Sequence, residues 1–118
     1  MSTARYAQLE GGRYLKEVFG FDFADIPALY PIQDALFSQA SEVARWRNGL
    51  RRTIQSMQED FGYMISALDK GAIWYPLGEG FNRDPYAIAR KIESAEQQLK
   101  TWCAAVAALQ AQHTQEEK

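Results

Sequence analysis

LFSQASEVARWRNGLRRTIQSMQEDFGYMISAL, residues 36–68, is the stretch that decides the fold. Leu36, Ala40, Val43, Arg47, Leu50, Ile54, Met57, Phe61, Met64 and Leu68 recur at alternating steps of four and three, and all but Arg47 are apolar. That spacing puts them on one face of an α-helix with a heptad seam. Pro31 suits the first turn of such a helix, where its missing N–H is harmless. Gly71 suits its end, with Lys70 beside the negative end of the helix dipole. The pattern predicts a helix over about 32–70, roughly 60 Å long at 1.5 Å per residue. Asn48-Gly49 is a turn dipeptide and is the one argument for splitting it. The four-three stepping keeps its phase through that dipeptide, so the reading adopted is one helix, bent at most.

A second seam follows. Ile88, Ile92, Ala95, Leu99, Trp102, Val106, Leu109 and His113 repeat the same steps. Asp84 is a good N-cap and Pro85 a good first residue, so a helix is predicted over about 85–112, with residues 114–118 as a frayed tail. The Gly- and Pro-containing residues 71–84 connect the two. Ahead of both, residues 3–19 predict a short helix, weakened by Gly11-Gly12 by about 2 kcal/mol relative to two alanines. Pro27 and Pro31 break the arm that follows it. The arm is too apolar for a solvated linker and is expected to lie across a hydrophobic surface.

The expected fold is therefore all-α. It is a single helical domain, 1–118, with an N-terminal helix and arm over 1–31 and a long antiparallel helical hairpin over 32–113. The first seam is longer than the second helix can cover. Phe37, Trp46, Ile65 and Ala67 also widen the apolar face, so a dimeric helical bundle is expected. On that basis Leu50, Ile54, Met57, Leu99 and Trp102 are expected in the core, with Ile54→Ala costing roughly 2–4 kcal/mol if Ile54 is fully buried. Arg47 occupies a seam position. It needs a carboxylate from another helix or subunit, or an opening through which its stem reaches water.

Composition narrows the function. The 118 residues hold 13 basic and 15 acidic side chains, a net charge of −2, which disfavours a globally basic nucleic-acid binder. Hydrophobic residues make up 47%, enough for a folded core. The single cysteine, Cys103, reads as a small buried apolar group and cannot form an internal disulfide. With a single histidine, His113, there is no four-ligand zinc set, and no phosphate-loop or dinucleotide motif occurs. No cofactor, metal or catalytic residue is expected, and the chain reads as a non-enzyme. The absence of a long apolar run or an apolar leader reads as a cytoplasmic protein with no membrane partner.

Two surfaces are candidates for binding. The connection is aromatic where a solvated loop would be polar. Trp74, Tyr75 and Phe81 there, with Phe21 and Phe23 in the arm, are the partner-binding candidates, and folding back onto the bundle is the alternative. The other surface is the basic stripe Arg45, Trp46, Arg51 and Arg52, which could hold nucleic-acid phosphates with stacking on the indole. The leading expectation is a self-associating protein–protein interaction module such as an adaptor, assembly subunit or inhibitor. The alternative is an accessory nucleic-acid-binding subunit. The plan of two long helices with a tip connection resembles the small helical-hairpin proteins of the WXG type. Their Trp-x-Gly turn is missing, since Trp74 precedes Tyr75-Pro76, so no family is assigned.

Overall fold

The computed structural model describes residues 3–75 and 84–116, and every described regular element is helical. A short 3-10 helix, Ala4–Gln8, leads into α1, Glu10–Phe19. A 3-10 turn at Pro27–Leu29 runs into α2, Tyr30–Asp69, and α3 spans Pro85–Glu116. The molecule measures 75 × 23 × 19 Å.

The expected single helix over 3–19 is instead broken at Leu9, whose ψ of 161° is extended. Gly12 explains the break. A Cβ on Gly12 would stand 1.7 Å from the Tyr6 carbonyl oxygen, so the first turn folds down onto the glycine. Gly11 permits a second close approach, because a Cβ there would meet the Ser41 side chain at 2.2 Å. Of the glycine pair that weakens α1 in isolation, Gly11 lets it lie close on α2 and Gly12 lets the 3-10 turn fold onto it.

α1 ends at Gly20, φ 66°, and the Phe21 amide reaches back to the Leu15 carbonyl at 3.2 Å. Phe21 and Leu15 are both buried, which adds the apolar contact typical of this cap. α2 ends in the same way. Gly71 has φ 77°, and the Ala72 amide donates to the Ala67 carbonyl at 2.9 Å. α2 runs unbroken through Asn48-Gly49, so the seam prevailed over the turn dipeptide. The Asp84 carboxylate accepts from the amides of Tyr86 and Ala87 at 3.0 and 3.2 Å, and the N-cap is confirmed. Residues 114–116, expected in a frayed tail, continue α3, with the Thr114 hydroxyl donating to the Gln110 carbonyl at 2.9 Å.

Arg47 pairs with Glu96 while Gln33 meets Gln110, so α3 passes α2 in the opposite direction. The core lies in the half nearest Gln33. It joins Tyr14 and Leu15 of α1, Phe21 of the arm, Leu36, Ala40 and Val43 of α2, and Ile92, Leu99, Cys103 and Val106 of α3. Cys103 is buried as expected, and burial pushes its thiol pKa from 9.0 up to about 11. The arm is fastened by a polar knot. The Gln33 amide donates to the Ala24 carbonyl at 2.8 Å and to Gln110 Oε1 at 2.5 Å. Gln110 in turn donates to the Asp22 carbonyl at 3.0 Å and accepts from the Ala24 amide at 3.0 Å. The Thr3 hydroxyl also donates to the Ala24 carbonyl, at 2.9 Å.

The other half differs. Ile54 is 42% exposed and Trp102 39%, so these two do not occupy the core expected of them within one chain. Leu50 and Met57 are only half-buried. At equal rise along the two helices, the Arg47–Glu96 level puts Pro85 beside Gln58, and these two residues do line one groove. Residues 59–69 of α2 therefore run on past the start of α3, for about 16 Å.

Candidate functional site

A concavity of about 890 Å³ is lined by α1, α2 and α3. Three of the side chains lining it form a clamp. The Tyr14 hydroxyl donates to Glu96 Oε2 at 2.6 Å. Arg47 Nε donates to the same oxygen at 2.9 Å, and its Nη2 donates to Oε1 at 3.2 Å. The guanidinium also stands 5.8 Å from the centre of the Tyr14 ring. Arg47 thus takes its carboxylate from α3 while keeping half of its side-chain surface in water, which joins the two expectations for it.

Burial, and then the hydrogen bond to Glu96, push the Tyr14 pKa up, so the ring remains a neutral donor. The same carboxylate holds the Arg47 pKa above its ordinary value, through its hydrogen bond first. Glu10 extends the polar wall by accepting from the Asn48 amide. Every charge in the clamp is answered within it, and its effect is to tie α1, α2 and α3 together at one level.

Next to this concavity, sharing Leu50, Ile54 and Ala89 with it, is a smaller and mostly apolar groove of about 330 Å³. Leu50, Ile54, Met57, Gln58 and Phe61 form one wall, and Pro85, Tyr86 and Ala89 the other. Arg51 and Gln55 stand on the rim above Ile54, with Glu93 across from them on α3.

The structure separates the candidates read from sequence. Phe21 is buried in the core, and Phe23 packs edge-on against both Phe21 and Tyr6 with ring centres 4.9 and 5.2 Å apart. Both serve the fold of the arm, which has lain down as expected. Trp74 is 37% exposed, its ring edge-on to Tyr63 at 5.6 Å, and Tyr75 is 69% exposed. Phe81 lies outside the described residues. Arg45, Arg51 and Arg52 are exposed, whereas Trp46 is half-buried against the core with the Lys91 ammonium 4.1 Å above its ring. The indole face expected to stack on a base is covered by this chain's own cation.

Tyr14 and the groove were missed by sequence reasoning. The demand of Arg47 for a carboxylate was the available clue, and the antiparallel pairing brings Glu96 to it. Among the described residues, no cluster of histidine, cysteine and carboxylates fits a metal ion, and no helix is long and apolar enough to cross a membrane. No protein-family model, curated protein or solved structure matches the chain.

Proposed function

We propose that this chain is a non-enzymatic helical interaction module that self-associates into a dimeric bundle of antiparallel hairpins and presents its tip to another protein. One observation carries the reading. α2 continues past α3 with its apolar pattern intact, leaving Ile65 60% and Leu68 63% exposed beside a half-open groove. A contiguous apolar face of this kind marks an association surface. Trp74 and Tyr75, at the same end, are of the residue types that dominate protein interfaces.

Sedimentation velocity at micromolar concentration tests this, with a dimer or larger species expected. A clean monomer there would refute self-association. The nucleic-acid reading retains the three exposed arginines but lacks a free stacking face. Titration with generic DNA and RNA at low salt is expected to give no binding, and strong, salt-sensitive binding would favour that reading instead.

A further inference from the structure

The groove and the overhang match each other in length, face and charge, and we infer that a second copy of this chain fills the groove, antiparallel, with its own α2 end. This rests on the self-association proposed above and specifies its geometry. The apolar groove runs along α2 from Leu50 to Phe61, about 16 Å. The overhang, residues 59–69, is equally long. Groove and overhang also share one face of α2. Ile54, Gln58, Ile65 and Leu68 fall on a single helical stripe, so a two-fold axis close to residue 60 brings Ile54 of one copy against the Ile65–Leu68 region of the other. The contact is reciprocal, and each copy closes the other's groove.

Two further features agree with this register. In the antiparallel pairing Asp69, the last residue of α2, arrives at the Arg51 rim of the other copy. By the two-fold symmetry Arg51 of this copy meets Asp69 of the other, so unlike charges meet at both ends. A parallel pairing would set Arg51 against Arg51 and Asp69 against Asp69. Gly62 lies near the two-fold axis, and a Cβ on it would meet nothing within 4 Å in the single chain. A glycine there allows two α2 helices to cross closely.

Gly62→Leu therefore tests the arrangement without threatening the fold, because the added side chain enters open space and leucine is the better helix former. By light scattering after gel filtration, the variant should be monomeric at a concentration where the parent is dimeric, with an unchanged helical signal. Cross-linking then reads the direction. Arg51→Cys mixed with Asp69→Cys, treated with a short bis-maleimide, should give a covalent dimer. Either variant alone should not, because like positions then stand roughly 25–30 Å apart along the axis. The parent, whose Cys103 is buried, is the control. A monomeric parent overturns this arrangement together with the self-association reading. A dimer that survives Gly62→Leu, or that cross-links through Asp69→Cys alone, overturns the arrangement and leaves self-association standing.

Discussion

Removing the Glu96 carboxylate should loosen three helices at once. In Glu96→Ala the Tyr14 hydroxyl, part-buried and now 2.6 Å from nothing, loses a charged acceptor. Hydrogen bonds to charged groups contribute about 1.5–3 kcal/mol. The Arg47 contacts add less, because half of that side chain faces solvent, where an ion pair contributes about 0.2–1 kcal/mol. The expected loss is roughly 1.7–4 kcal/mol from these two contributions together. Urea unfolding followed by circular dichroism measures it, at one fixed protein concentration so that association does not shift the midpoint. Glu93→Ala, an exposed neighbour, is the control and should stay within about 0.5 kcal/mol of the parent. Tyr14→Phe combined with Glu96→Ala should show a coupling of about 1–2 kcal/mol, as contacting residues do. If Glu96→Ala costs no more than Glu93→Ala, or if the double variant is simply additive, the clamp does not join the helices and the reasoning fails.

The two kinds of glycine should respond oppositely to alanine. Gly12→Ala forces a Cβ into the Tyr6 carbonyl and should cost about 2 kcal/mol or more, while Gly49→Ala meets open space and should stabilise by up to about 1 kcal/mol, both read as shifts in the urea midpoint. Cys103 should react slowly with a thiol reagent at pH 8 and rapidly in denaturant. Because its folded pKa is raised from 9.0 to about 11, the stability gained by keeping it a neutral thiol is complete below pH 9 and is lost as pH rises through 11; unfolding midpoints across that window should fall. Trp74→Ala should change the unfolding free energy by less than about 1 kcal/mol, against roughly 2–5 kcal/mol for Leu99→Ala in the core, and equal losses would make the tip aromatics part of the fold.

The long helices were legible because their evidence is repetitive. A pattern of ten seam positions, nine of them apolar, outweighs one Asn-Gly pair, and Gly71 and Asp84 close and open helices by chemistry that is local. The break at Leu9 was not legible, since it depends on the Tyr6 carbonyl settling onto Gly12, a contact that no periodicity describes. The polar knot was hidden for a related reason. Gln33 continues the α2 seam one step before Leu36, but only the fold shows that its partner is Gln110, 77 residues on. The seam pattern also overstated the burial of Ile54 and Trp102. Periodicity identifies which face of a helix is apolar, and the lengths of the other helices decide what covers it. At the candidate site, Arg47 advertised its need for a carboxylate, while Tyr14 gave no comparable sign.

The unbroken run of α2 through Gly49 also makes the molecule a ruler. From Gln33, in the knot, to Asp69, at its far end, the helix spans roughly 54 Å with no hinge in between. Up to Gln58 that span is braced laterally by α3, and beyond it α2 runs on past the start of α3. Bending compliance is thus greatest in the final three turns, while the distance from Gln58 back to the core is preserved.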